Sequence, residues 1–338
     1  MARRRRPHGL KFVAVLPYLR ARGPLAFGGL VMTPVSPDTA AELLPAGFAE
    51  TARWYFSRYS DEYDRVESVT LLHRPSKPLF PAYWHSRCWE RLSDTVTLLA
   101  AGSLTTVAGW FLPVGETFRL FVHGIQPDRQ HIVVDSGSYV RRTDLRSGHF
   151  RLVRPPYTSQ WEPSESDVRA NHVLPGLSNA LEASPHLADE WWRRLLRSSR
   201  LYVTACCNVD SMHYFDRIVL LAAAYEALLC PGKFGTSEFV RAVQASMGLE
   251  PGPEMGWVGR FAKELYVIRS KYSHGAEMAD EDYRSPVFGE YFRTGRWLYG
   301  QALRELLRTR GYAGRLEYVP RESEFRHDRH VLEEEPMT

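Results

Sequence analysis

A basic side chain and a titratable imidazole occur close together in Arg269-Ser270-Lys271-Tyr272-Ser273-His274-Gly275. The guanidinium is always charged, whereas the imidazole exchanges protons near neutral pH. Such a pair can hold a phosphate and move a proton beside it. An Arg and a His near a helix C-terminus can also simply complement the helix dipole, which is the commoner role of a bare Arg-x4-His spacing. The motif alone leaves both interpretations open.

The apolar residues that precede the motif predict a helix that begins at Trp257 and ends at Gly275. They recur at steps of three and four residues: Val258, Phe261, Ala262, Leu265, Ile268 and Tyr272. Two residues five positions apart lie about 140° apart around an ideal helix. Arg269 and His274 therefore converge only if His274 lies in the terminal turn, where Gly275 lets the backbone unwind.

Glu226 lies near the end of an almost wholly apolar run, Phe215 to Leu229. Such a run predicts a helix at the centre of a bundle. A carboxylate there is costly to bury unless a cation meets it, and Arg269 is the candidate partner. The alternative is a surface glutamate at a frayed helix end.

Further helical patterns surround this run. Helices are predicted from Ser184 or Pro185 to Arg200, from Val209 to Cys230, after a Ser237 cap through Met247, and from Pro286 to Arg308. With the motif helix they make five helices joined by short connections, which indicates a helical bundle.

The N-terminal half has a strand-like pattern instead. Short segments rich in Val, Phe, Thr and Tyr are Lys11–Leu16, Ala26–Met32, Ala52–Phe56, Val66–His73, Phe118–His123 and His131–Val134, with helical segments at Asp38–Leu44 and Glu90–Leu99. The fold class predicted is α+β, with a β-rich module before a helical bundle. The predicted parts are a basic tail (1–10), a β-rich sensing or regulatory domain (11–160), a linker rich in Pro and Ser (161–184), a helical domain (185–310) and a C-terminal tail (311–338).

Composition and hydropathy argue against a secreted protein and against a membrane-spanning one. The formal net charge is +4 and 44% of residues are apolar, which is typical of a globular chain. The cysteines are Cys88, Cys206, Cys207 and Cys230, with no Cys-x-x-Cys pair, so a reducing cytoplasm is expected. Lys11 and Pro17 interrupt the outline of a signal peptide, and no apolar run is long enough to span a membrane.

No catalytic signature stands out in the N-terminal half. His73, His85, His123, His131 and His149 lack metal-site spacing, and no metal or cofactor is predicted. Trp84, Trp89, Trp110 and Trp161 suit a core better than a base-stacking surface. The chain contains no phosphate loop, dinucleotide fingerprint, Gly-x-Ser-x-Gly elbow or His-Glu-x-x-His helix.

The segment from about 185 to 308 resembles the HEPN superfamily, and within it the Apea-like branch found in prokaryotic defence proteins. Three features carry the resemblance: the Arg269-to-His274 motif, the helix Phe215–Leu229 with Glu226 near its end, and a closing amphipathic helix. The resemblance implies an endoribonuclease that cleaves RNA through its 2′-hydroxyl, acting as a defence or toxin effector. It also implies a homodimer formed through the helical domain, with two motifs facing one cleft.

The expected catalytic residues are Arg269, His274 and Glu226. RNA supplies its own nucleophile, so orientation, proton transfer and charge neutralisation suffice without a metal. The expected substrate-binding residues are Lys271, Ser270, Tyr272 and Ser273. HEPN nucleases often carry Asn, Asp or His after the motif arginine, where this chain has Ser270, so the resemblance implies either weak activity or a partner that assembles the site.

Two other functions stay open. One is a non-catalytic HEPN-type RNA-binding or dimerisation scaffold, in which Arg269 and His274 hold a helix junction. The other is a ligand-binding enzyme centred on the N-terminal half. A trigger or inhibitor protein is expected to act at that half, and no membrane partner is expected.

Overall fold

The structure is a computed structural model that describes residues 11–36, 39, 66–75, 86–105, 118, 120–125, 131–135, 140–143, 162–183, 189–206, 212, 214–230, 232, 234–249, 256–273 and 287–314. These residues form two compact units. The first contains the described parts of residues 1–99 and 111–170, and the second contains those of residues 100–110 and 171–338.

One antiparallel sheet of seven strands lies in the first unit. Its strands are β1 (Lys11–Leu16), β2 (Leu25–Phe27), β3 (Leu30–Val35), β4 (Val69–His73), β5 (Phe121–Ile125), β6 (His131–Asp135) and β7 (Val140–Thr143). Their spatial order is β2-β3-β4-β1-β5-β6-β7. The central strand β1 aligns Ala14 with Leu72 on one side and with Val122 on the other. A long helix, α1 (Ser86–Leu104), follows β4 along the chain.

A β-hairpin replaces the single strand predicted at Ala26–Met32. Gly28 and Gly29 have φ angles of 61° and 75°, and they join β2 to β3 in a two-residue turn. Positive φ at both central positions is what a type I′ turn requires, and a Gly-Gly pair supplies it without steric cost. The prediction was wrong because the apolar pattern on both sides of the pair was taken as continuous.

The other strand predictions differ mainly at their ends. The strand predicted at Val66–His73 begins at Val69, and the strand predicted at Phe118–His123 is displaced to Phe121–Ile125. The predicted helix at Glu90–Leu99 is part of the longer α1. The predicted segments Ala52–Phe56 and Asp38–Leu44 lie outside the described residues, apart from Thr39.

Seven further helices follow the sheet strands along the described chain. They are α2 (Glu165–Ala170), α3 (Leu174–Ala183), α4 (Glu190–Cys206), α5 (Tyr214–Leu229), α6 (Thr236–Ser246), α7 (Trp257–Ser273) and α8 (Val287–Thr309). The helices α4 to α8 correspond to the five predicted helices. A β-rich N-terminal part followed by a mostly helical C-terminal part is an α+β organisation, as the sequence predicted.

The segment predicted as a linker contains two of these helices. Ser164 Oγ accepts a hydrogen bond from Asp167 N (3.2 Å), and Asp167 Oδ2 accepts one from Ser164 N (2.8 Å), which is a reciprocal cap at the start of α2. Asn171 Oδ1 likewise accepts hydrogen bonds from Val173 N and Leu174 N and caps α3. Ser164, one of the residues that suggested a linker, is a helix cap here.

The start of α6 also differs from the prediction of a Ser237 cap. Gly235 is the N-cap residue, and its N–H donates to Glu238 Oε2 at 2.9 Å. The helix therefore begins before Ser237, and the carboxylate of its first turn bonds to the N–H of the N-cap residue.

The central position predicted for α5 is confirmed. It packs against α4, α6, α7 and α8. Its fully or almost fully buried residues are Phe215, Ile218, Leu221, Ala222, Ala224, Tyr225 and Leu228. A helix enclosed on several sides needs apolar residues around most of its circumference, as this run provides.

Buried hydroxyls fix α5 to its neighbours. Tyr225 Oη donates to Gly295 O of α8 at 2.6 Å. Ser198 Oγ of α4 donates to Ala224 O at 2.7 Å and lies 2.7 Å from Tyr299 Oη of α8. These bonds set the positions of α4, α5 and α8, because a buried polar group without a partner is costly.

Candidate functional site

The helix α7 presents its apolar stripe to the bundle and holds the motif arginine at its edge. Val258, Phe261, Ala262 and Leu265 are buried. Two side chains near the end of this helix contact α5: Tyr272 bonds to Asp216 near the start of α5, and Arg269 reaches Glu226 near its end.

Arg269 and Glu226 form an ion pair. Arg269 Nη2 donates to Glu226 Oε2 at 3.1 Å, and the two side chains are 33% and 12% exposed. The guanidinium carbon also lies 6.0 Å from the ring centre of Tyr266. The contact expected between a carboxylate at the end of an apolar helix and the motif arginine is present, and its use on a phosphate stays a prediction.

The carboxylate is held in a partly desolvated environment. Burial raises the pKa of Glu226, and the charges of Arg269 and Arg197 oppose that rise without cancelling it. Glu226 Oε1 is buried and has no hydrogen-bond partner within the described residues. An ion pair with an unsatisfied oxygen holds its arginine in place but is only moderately stabilising.

The thiol of Cys230 lies close to the same carboxylate. Burial raises the pKa of Cys230 to about 11, and the negative charge of Glu226 adds to the rise. A thiol with this pKa is protonated at neutral pH, so it is a poor nucleophile here. Cys206 and Cys230 are free thiols.

The predicted substrate-binding residue Tyr272 makes an internal contact. Its hydroxyl donates to Asp216 Oδ1 at 2.9 Å, and its ring stacks on Phe215 with ring centres 5.8 Å apart. Tyr272 therefore ties the end of α7 to the start of α5.

The neighbouring motif residues point in different directions. Two positions along a helix correspond to a rotation of about 200°, so the exposed Lys271 lies on the opposite side of α7 from Arg269. Ser270 lies about 100° from Arg269 and is half-buried, whereas the exposed Ser273 lies only about 40° away, on the same flank. Helical geometry therefore puts Ser273 on the flank of Arg269 and Lys271 on the other side of α7.

The motif histidine falls beyond the described residues. The helix α7 is described to Ser273, and both His274 and the predicted helix stop at Gly275 lie outside that range. The predicted meeting of imidazole and guanidinium stays a prediction.

Two arginines of α4 that were not predicted as site residues lie close to the ion pair. Arg194 donates to Ala227 O (3.3 Å) and Leu228 O (2.7 Å) at the end of α5. Arg197 is exposed and acts on Glu226 through its charge. The sequence signal was a run of arginines on the polar side of α4, whose apolar side alone was used in the prediction.

The arrangement can bind an anion beside the end of α5. A guanidinium has five N–H donors, so a contact through Nη2 leaves donors for a second acceptor. The carboxylate fixes one edge of that guanidinium, and Arg197 adds positive charge to the same neighbourhood.

No protein family model, curated protein or solved structure matches the chain. Among the described residues, no cluster of His, Cys, Asp and Glu has the arrangement of a metal site. None of the described helices combines the length and apolar character needed to cross a bilayer.

Proposed function

We propose that the protein is a metal-independent endoribonuclease of HEPN type that acts in the cytoplasm as a prokaryotic defence or toxin effector. The observation that supports the proposal best is the ion pair between Glu226 and Arg269, which holds a one-third-exposed guanidinium at the edge of the bundle. This is the position in which a fixed cation could meet a phosphodiester.

The proposed reaction begins with the 2′-hydroxyl of the RNA. Its oxygen bonds to phosphorus, the bond from phosphorus to the 5′-oxygen breaks, and the products carry a 2′,3′-cyclic phosphate and a 5′-hydroxyl. Arg269 binds the non-bridging oxygens, on which negative charge builds up, and Glu226 keeps the guanidinium in place. His274 takes the proton from the 2′-hydroxyl as general base.

A dimer balances the protons of this reaction. The departing 5′-oxygen must receive a proton, and the motif of a second copy supplies it while the first accepts one. The proposed assembly is therefore a two-fold homodimer formed through the helical unit. The N-terminal unit is proposed to bind a trigger or inhibitor protein.

The direct test incubates the purified protein with total RNA in excess chelator. The parent is expected to fragment the RNA, whereas Arg269→Ala and His274→Ala are expected to lose at least about 100-fold in rate, a typical loss on removing one such group. Circular dichroism and light scattering check that both variants keep their fold and oligomeric state. Variants as active as the parent, or a parent without activity, would refute the proposal.

A non-catalytic scaffold is the second candidate. The contacts of Arg269 with Glu226 and of Tyr272 with Asp216 tie α7 to α5, which is what a helix junction requires. A growth assay separates the two functions. The nuclease predicts toxicity on overexpression that His274→Ala relieves, whereas the scaffold predicts the same growth for both proteins.

A further inference from the structure

A stripe of arginines runs along the exposed side of α4. Arg193, Arg197 and Arg200 are separated by four and three residues and are all exposed. Residues at these spacings lie one above another on a helix, and the stripe extends over about 10 Å. We call these three residues the α4 stripe.

The charges of the α4 stripe are not balanced on its own helix. After Glu190 the sequence of α4 contains no Asp or Glu. Like charges four residues apart destabilise a helix, and solvent-exposed helices commonly mix both signs. With Glu190 as its single carboxylate against three arginines, this side of α4 keeps a net positive charge, which suits a polyanion.

The α4 stripe also passes beside the proposed site. Arg197 acts on Glu226 through its charge, so the middle of the stripe lies near the ion pair. Arg194 fixes the position of α4 along α5, since it donates to the carbonyls of Ala227 and Leu228 directly after Glu226. Because α4 is bonded to α5 in this way, its exposed side extends the positive charge of Arg269.

We propose that the α4 stripe binds the phosphates of single-stranded RNA next to the bond that is cleaved at Arg269. This inference rests on the proposed function for its choice of RNA. It adds a second binding surface, which we call the track, for phosphates next to the one that reacts. Arginine suits the role because its planar guanidinium binds phosphate oxygens through two parallel hydrogen bonds.

The test uses a 2′-O-methyl RNA, which binds but cannot be cleaved through its 2′-oxygen. Its affinity is measured against salt concentration for the full-length parent and for the triple variant Arg193→Gln/Arg197→Gln/Arg200→Gln. Loss of three phosphate contacts should weaken binding at least about 10-fold and reduce the slope of log affinity against log salt by about 2. Glutamine keeps a good helix former at each position.

A charge-matched control removes three other exposed cations of the helical unit, through Arg241→Gln/Arg260→Gln/Lys263→Gln. This variant is expected to bind RNA within about twofold of the parent. Equal losses in both triple variants, or no binding by the parent, would overturn the track. Equal affinity of the parent for RNA and for polyglutamate of the same charge would also overturn the track, because it would show no preference for RNA.

Cleavage kinetics separate failure of the track from failure of the nuclease. In an active parent, the stripe variant should raise KM at unchanged kcat, whereas Arg269→Ala should lower kcat. Stripe-dependent binding by a parent that cuts no RNA would uphold the track and refute the nuclease. If the parent cleaves RNA and the stripe variant binds RNA as tightly as the parent does, the nuclease is upheld and the track is refuted.

Discussion

Among single side chains, the pairing of Arg269 with Glu226 has the most direct energetic consequence. Arg269→Ala leaves a largely buried carboxylate whose other oxygen already lacks a partner. We expect the free energy of unfolding to fall by about 1–3 kcal/mol, the cost of an unsatisfied buried group. Urea denaturation at pH 7 measures the change. The double variant Arg269→Ala/Glu226→Gln should recover part of the loss, and a single variant as stable as the parent would contradict the pairing.

Glu264 makes a prediction about pH. Burial raises the pKa of its carboxyl to about 7, and Oε2 is buried without a partner in the described residues. Because the folded-state pKa lies above the unfolded one, stability is greatest at low pH and is lost as pH rises from the ordinary glutamate pKa of 4.5 to about 7. Glu264→Gln should therefore raise the free energy of unfolding at pH 8, on the order of 2 kcal/mol.

The matching measurement compares Glu264→Gln with the parent by urea denaturation at pH 4.5 and at pH 8. The difference should fall below about 0.5 kcal/mol at pH 4.5, where the carboxyl is protonated in the folded protein and half-protonated in the unfolded chain. A constant difference at the two pH values would show that the carboxyl does not titrate as described.

Sequence reasoning found the site residues whose environment is unusual for their type. Glu226 was predicted to need a cation because it ends an apolar run, and Arg269 is that cation in the structure. Tyr272 was counted as part of the apolar stripe, and nothing in the pattern indicated its bond to Asp216. Arg197 was missed because charge acting between helices depends on how they pack, which helical periodicity does not give.

Among the helices, the crossing of α5 and α8 depends on a residue without a side chain. A Cβ atom at Gly295 would lie 2.6 Å from Leu221 Cδ2 and 3.1 Å from Phe261 Cζ. Gly295→Ala should therefore destabilise the protein by about 1–3 kcal/mol, the usual cost of overpacking a core. Thermal unfolding measures it.

Gly256→Ala is the matched control for that substitution, because a Cβ atom at Gly256 would meet nothing within 4 Å. We expect Gly256→Ala to leave the melting temperature within about 2 °C of the parent, in keeping with a change below about 0.5 kcal/mol. A Gly295→Ala protein as stable as this control would contradict the close packing of α8 on α5.

Long segments with a regular apolar pattern were predicted well, whereas elements that depend on polar residues were not. The apolar run of Phe215–Leu229 and the apolar stripe of α7 each predict both that a helix forms and which side of it is buried. The short α2 depends on the reciprocal cap of Ser164 and Asp167, which resembles linker composition when it is met in a sequence. The β2–β3 hairpin was lost for the opposite reason, because a turn of two glycines interrupted an apolar pattern only briefly.

For the whole molecule, the proposed mechanism requires two copies of the chain. Light scattering of the purified protein should give twice the chain mass of 38.8 kDa. The specific cleavage rate should also fall when the protein is diluted below the dissociation constant of the dimer, since each copy lacks the second motif. A monomer with an undiminished specific rate on dilution would contradict the dimer.

The most direct test of the nuclease uses a DNA oligonucleotide that contains a single ribonucleotide, incubated with the protein in excess chelator. Attack by the 2′-hydroxyl predicts one cut, on the 3′ side of that ribose, with a 2′,3′-cyclic phosphate on one fragment and a 5′-hydroxyl on the other. Arg269→Ala should slow this cut at least about 100-fold. Cleavage of the all-deoxy oligonucleotide at the same rate, or a 3′-hydroxyl and 5′-phosphate at the cut, would contradict the proposed chemistry.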